Sequence, residues 1–183
     1  MYRSGEGEFS FESAYTFRVI SNPFHSIYAL HRIPKNPIDY NFATQLVAAR
    51  YRLSNAKGPG WLRGSWESSA TVVGTSIVQG PESYFLGLAL GLRYDFIQNN
   101  ARLVPFVEMR SGPGTTDSSG RVNGQQQDLI FTYLFSAGAR YQINPGWSIS
   151  ASAIDQHLSN ANLAPRSYGV DSVGVSLGVF SHF

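Results

Sequence analysis

Apolar and polar residues alternate with a period of two along most of the chain, the pattern of strands that present one apolar and one polar face. In residues 8–20, Phe9, Phe11, Tyr15, Phe17 and Val19 alternate with Glu8, Ser10, Glu12, Thr16 and Arg18. In 83–96, Tyr84, Leu86, Leu88, Leu90, Leu92, Tyr94 and Phe96 face Gly87, Ala89, Gly91, Arg93 and Asp95. In 128–143 the stripe is Leu129, Phe131, Tyr133, Phe135, Tyr141 and Ile143. Segments 44–53, 64–78 and 102–110 carry the pattern less cleanly, and 147–159 and 171–183 complete it. The count is about eight strands, an even number, as in bacterial membrane barrels.

Strand length separates a membrane barrel from a soluble sandwich. The stripes outrun the ~5–6 residues of ordinary strands and match a tilted crossing of the bilayer. Glu8, Glu12, Arg18, Arg50, Arg52, Glu67, Arg93, Asp95, Glu108, Arg110 and Arg140 then line a narrow lumen, where carboxylates and guanidinium groups can pair. The connections alternate in length: 21–40, 112–127 and 160–170 are long or polar, whereas IQNNA and INPG are compact and AKGPGW is somewhat longer. Short turns belong to the periplasmic side, which places both termini there. The final strand ends in Phe183, a terminal aromatic that resembles the signal read by the barrel assembly machinery, an expected partner during biogenesis. The expected fold is all-β, one eight-stranded antiparallel transmembrane barrel over residues 1–183, in the bacterial outer membrane.

Composition narrows the chemistry. Only 14% of the 183 residues are charged, against roughly 25% in a typical soluble domain. The absence of Cys removes thiol catalysis and thiolate metal sites, and 4 His scattered along the chain argue against a multi-histidine site, so no metal is expected. The pI of about 9.0 comes from scattered basic residues, so no nucleic-acid partner is expected. The start, MYRSGEGEF, has no apolar core of a secretory signal; the barrel reading expects that signal to be removed or encoded upstream.

One constellation carries chemistry. On 147–159 the odd positions Trp147, Ile149, Ala151 and Ala153 are apolar, so parity turns Asp155, His157 and Ser159 toward lipid, at the external end. His157 and Ser159, two apart, share a face, as a general base and a hydroxyl nucleophile must. Asp171 shares the parity of Val173, Val175 and Leu177, and antiparallel pairing across 160–170 brings it beside His157, where a carboxylate can orient the imidazole. His25, His31 and His182 show no evident partner.

The stretch HLSNANLAPRSYGVDS, His157 to Ser172, resembles the active-site segment of the PagL-like lipid A 3-O-deacylases, whose motif is His-x-Ser-Asn-Ala followed by an acid and Ser. PFVEMRSG and SAGARYQI, upstream, are similar to that family's preceding strands. The resemblance implies Ser159 as nucleophile, His157 as base and Asp171 as the acid, where the family usually has Glu. It implies oxyanion stabilisation or support from Asn160 and from Ser167, which stands where the family has Asn. The implied reaction is hydrolysis of the 3-O-linked hydroxyacyl ester of lipid A in the outer leaflet, with no cofactor. Arg32, Lys35 and Arg166 are candidates to hold lipid A phosphates, against the plainer reading of solvated loop charge. Lipopolysaccharide and outer-membrane lipid are the expected partners, and a second copy of the chain is a further candidate. Two alternatives stay open: a non-catalytic barrel of structural or adhesive role, and a lipid A acyltransferase. Acyltransferase barrels usually begin with an amphipathic helix, and none precedes Glu8.

Overall fold

The structure is a computed structural model and describes residues 4–18, 39–98, 101–164 and 169–183. Eight strands follow in chain order: β1 (Gly7–Arg18), β2 (Asn41–Arg52), β3 (Gly64–Gln79), β4 (Tyr84–Phe96), β5 (Leu103–Thr116), β6 (Leu129–Asn144), β7 (Trp147–Ser159) and β8 (Val170–His182). Each pairs antiparallel with its sequence neighbour, and β1 pairs with β8, Phe11 opposite Val179, to close the barrel. Closure pairs every strand on both sides, which is what a sheet needs in a medium that offers no hydrogen bonds. No described helix is long and apolar enough to cross a membrane.

The alternation resolves into an outer apolar wall and an inner polar one. Phe9, Phe11, Leu86, Leu88, Leu90, Val175 and Leu177 point outward and are exposed, Leu90 to 74%. Such a wall is a liability in water and the expected surface in lipid. Near the termini the wall turns aromatic: Trp66 packs edge-on against Tyr94 at 4.8 Å between ring centroids, Tyr94 against Phe96 at 5.0 Å, and Phe9 against Phe183 at 5.1 Å. This is the girdle that amphipathic rings form at a membrane interface.

Inside, the half nearest the termini holds a charge network. Arg50 meets Glu12 and Glu108 at 2.8 Å, Arg110 meets the same two at 2.7 Å, and Arg93 meets Glu108 at 2.7 Å. Arg140 bridges Glu8 at 2.9 Å and Asp95 at 2.8 Å, and Arg52 bridges Glu67 at 3.0 Å and Asp95 at 3.2 Å. Five guanidinium groups (50, 52, 93, 110, 140) thus meet five carboxylates (8, 12, 67, 95, 108), and the buried layer is neutral. Arg18, the remaining expected lumen charge, sits at the opposite mouth and pairs with Asp39 at 2.9 Å. His182 finds a partner after all: its Nδ1 lies 3.0 Å from Glu8.

The other half of the lumen departs from the expectation of a polar interior. Phe42, Leu46, Val73, Phe85, Ile130, Leu134, Ile154 and Leu158 form a buried apolar cluster under the loop end. Their presence on the inner face explains why alternation weakens in β2, where Leu46 and Val47 are neighbours with opposite orientations.

Strand β5 also continues past residue 110, through Gly112–Pro113–Gly114 to Thr116, where loop was expected. Pro113 is tolerated because the β4–β5 ladder is interrupted between Ser111–Leu90 and Gly114–Gly87, so its missing N–H leaves no rung unpaired there. Gly174 has a stricter reason: a Cβ would lie 1.9 Å from the Tyr15 carbonyl oxygen across the β8–β1 seam.

Candidate active site

Strand β7 carries its apolar outer stripe up from Trp147 and ends at Ser159, at the mouth opposite the termini. Its last three outward positions are Asp155, His157 and Ser159, all half-buried, while Gln156 and Leu158 between them are buried inside. The β7–β8 register sets His157 directly opposite Asp171. Their side chains meet, with His157 Nδ1 2.7 Å from Asp171 Oδ1. An ionised carboxylate only accepts, so Nδ1 carries the proton shared with it, which in the neutral imidazole leaves the lone pair on Nε2.

Ser159 is two residues further on the same face, opposite Phe131 of β6, at the last rung of β7. Among the described residues no hydrogen bond joins Ser159 to His157; the two share the outer face, two positions apart on β7. On the β6 side, Tyr133 pairs with His157 and its ring lies 6.2 Å from the imidazole, so an aromatic column flanks the polar one. Parity within β6 exposes Tyr133, but its apposition to His157 depends on the β6–β7 register.

Ser159 is followed by a tight turn. Ala161 (φ 51°) and Asn162 (φ 61°) both adopt the left-handed region, and Leu163 N–H donates to the Asn160 carbonyl at 3.0 Å. Two successive positive φ values with that bond mark a type I′ turn, uncommon for a central alanine and a local store of strain. Asn160 anchors it: its side chain turns into the barrel, where Nδ2 donates to the Gln125 carbonyl at 2.9 Å and Oδ1 accepts from Asn162 N–H at 3.0 Å. Asn160 is wholly buried, so its amide supports the turn and points away from the outer face that carries Ser159. Arg32, Lys35, Arg166 and Ser167 lie outside the described residues, as do His25 and His31.

Between β5 and β6, the loop is tied to the β3–β4 turn. Desolvation pushes the Asp117 carboxyl up, but hydrogen bonds from Ser83, whose main-chain N lies 2.8 Å away, together with the Arg121 guanidinium outweigh it and hold the carboxyl below the usual range. Sequence reasoning missed Gln125, whose carbonyl accepts from Asn160, and Glu82, which accepts from the Gln125 N–H, one in each of these two connections. Nothing periodic marks them, since both lie in connections. Among the described residues no cluster of His, Asp and Glu is arranged to hold a metal ion.

The barrel has counterparts among known proteins. The crystal structure of the outer membrane enzyme PagL superposes with a TM-score of 0.59 at 17% identity, covering 92% of this chain and 97% of that one. Neisserial surface protein A (NspA) superposes with a TM-score of 0.61 at 13% identity, covering 98% of each. At such identities the likeness concerns the fold alone. No curated protein matches the chain. The sequence model of the lipid A 3-O-deacylase (PagL) family matches residues 40–180, a span that includes Ser159, the paired His157 and Asp171, and every strand but β1 nearly to its end. The protein therefore belongs to the lipid A 3-O-deacylase (PagL) family.

Proposed function

We propose that the protein is an outer-membrane serine esterase that removes the 3-O-linked hydroxyacyl chain of lipid A. The observation that carries this reading is the 2.7 Å contact of His157 Nδ1 with Asp171, on the outer wall, beside Ser159. A polar group facing lipid is costly, and three of them gathered at one strand end call for a purpose that an inert barrel does not supply.

In the proposed reaction His157 Nε2 takes the proton of Ser159 Oγ as that oxygen attacks the ester carbonyl. Asp171 holds the imidazole in the required tautomer and stabilises its cation. The tetrahedral intermediate collapses when the lipid A 3-oxygen leaves with the proton from His157. Water, deprotonated by His157, then attacks the acyl-serine, and a free hydroxy fatty acid departs. One ester and one water thus give one alcohol and one acid, and no cofactor enters.

With the Asn160 amide turned inward and the Asn162 and Leu163 N–H groups taken within the turn, oxyanion stabilisation is assigned to the main-chain N–H of Ala161 and to Ser167 in the following loop, each such donor being worth about 10²–10³ in rate. Arg32, Lys35 and Arg166 are proposed to meet lipid A phosphates. The long connections face outward from the cell in this reading, so the site lies at the depth of the outer leaflet and lipid A enters sideways from the bilayer. Both structural relatives share the barrel at similar TM-scores, so the fold alone does not argue for catalysis; the polar residues on the outer face of β7 and β8 are what supports this reading.

A serine-directed fluorophosphonate tests the site itself. The purified barrel in detergent is expected to label on the peptide containing Ser159, and His157→Ala is expected to abolish labelling. A label elsewhere, or labelling indifferent to His157→Ala, removes the basis of the assignment.

A further inference from the structure

A chain of hydrogen bonds runs across the loop end of the barrel from the β3–β4 turn to the residue after Ser159. Glu82 is buried, 3% exposed. Its Oε2 accepts from the Tyr40 hydroxyl at 2.8 Å, and its Oε1 accepts from Ser118 Oγ at 2.8 Å and from the Gln125 main-chain N–H at 2.9 Å. The Gln125 carbonyl in turn accepts from Asn160 Nδ2 at 2.9 Å, and Asn160 holds the left-handed turn through its own Oδ1 and carbonyl.

Two features mark Glu82 as more than a turn residue. Among the described residues its donors are all uncharged, unlike those of the lumen carboxylates, so its desolvation is met by geometry alone. The packing around it is also closed: a Cβ on Gly124 would lie 2.5 Å from Ser118 Oγ and 3.0 Å from Glu82 Oε1. The carboxylate is thus a fixed hub joining Tyr40, just before β2, and the β3–β4 turn to the β5–β6 loop, and through Gln125 to the end of β7. The turn it reaches is strained, and a strained turn persists only where its surroundings over-determine it.

We propose that Glu82 is a positioning residue for the deacylation: through Gln125 and Asn160 it fixes the turn that sets Ser159 against His157. The inference rests on the function proposed above. It predicts that what matters at position 82 is an acceptor oxygen in the right place and not a negative charge. Gln keeps an oxygen for Ser118 and Gln125 and can donate to the Tyr40 oxygen, whereas Ala keeps neither.

The test is kcat and KM on lipid A for the wild type, Glu82→Ala, Glu82→Gln, Asn160→Ala and the Glu82→Ala/Asn160→Ala double variant. Rates are normalised to folded barrel by heat-modifiable gel mobility. Glu82→Ala is expected to lower kcat about 10- to 100-fold with KM within about twofold, the signature of a misplaced reacting group. Glu82→Gln is expected to restore kcat to within about threefold of wild type, and the double variant to be about as slow as the slower single, because both act along one path. Should Glu82→Ala fail to fold, Gly124→Ala wedges the same contact apart and carries the same expectation. An active wild type with unchanged kcat in folded Glu82→Ala or Gly124→Ala, or with losses that multiply in the double variant, overturns this inference alone. A wild type inactive on lipid A overturns the proposed function and this inference with it.

Discussion

Glu108 is the point at which the interior network is most exposed to a single change. Its Oε1 accepts from Arg50 Nη1 at 2.8 Å and Arg110 Nε at 2.7 Å, and its Oε2 accepts from Arg93 Nη2 and Arg110 Nη2, each at 2.7 Å. Glu108→Gln leaves five guanidinium groups against four carboxylates in a layer closed to water, and turns one amide N–H toward them. An uncompensated buried charge costs about 3–5 kcal/mol, and that is the expected loss of barrel stability. The control is Glu108→Gln with Arg93→Met. The only ion pair of Arg93 among the described residues is with Glu108, whereas Arg50 and Arg110 keep Glu12, so the double variant restores four against four. Met also retains apolar contact with Phe106, over whose ring the Arg93 guanidinium lies at 4.1 Å. Urea unfolding in lipid vesicles, followed by tryptophan fluorescence, reads both; the double variant is expected to recover at least half the loss. A cost for Glu108→Gln below about 1 kcal/mol, or a double variant no better than the single, would refute the reasoning from charge balance.

Three further outcomes follow from the same geometry. Asp171→Asn is expected to lower the deacylation rate by about 10²–10⁴ while heat-modifiable mobility stays that of the wild type; an unchanged rate assigns the acid elsewhere. Leu177→Arg places a guanidinium on the outer wall at mid-strand in β8 and is expected to cost about 2–4 kcal/mol in vesicles, so a change within about 0.5 kcal/mol counts against a lipid-facing wall there. Gly174→Val, whose Cβ collides with the Tyr15 carbonyl, is expected to open the β8–β1 seam and cut the folded fraction several-fold, and folding yields equal to wild type would show that the seam has slack.

Much of the barrel was legible because period-two alternation reports which face a residue occupies. β7 was bounded correctly at 147–159, and parity placed Asp155, His157 and Ser159 outside before any contact was known. The facing of His157 by Asp171 was legible too, since a hairpin fixes register once the loop length is known. Alternation fails where both faces are apolar, which is why the cluster of Phe42, Leu46, Ile154 and Leu158 inside the loop end went unread. It also fails where Gly and Pro suggest a break that the ladder tolerates, as at Pro113. The links from Glu82 through Gln125 to Asn160, and from His182 to Glu8, join residues far apart in sequence through connections and strand ends that carry no periodic signal.

The central claim is that Ser159, on the outer wall of β7, performs the hydrolysis. Mass spectrometry of lipid A after incubation of lipopolysaccharide with the purified barrel and with Ser159→Ala tests it most directly. The account predicts that the wild type releases one hydroxy fatty acid from the 3-O-position and that Ser159→Ala, equally folded, releases none. Lipid A left unchanged by the wild type across several lipopolysaccharides, or hydroxyacyl loss that survives Ser159→Ala, contradicts it.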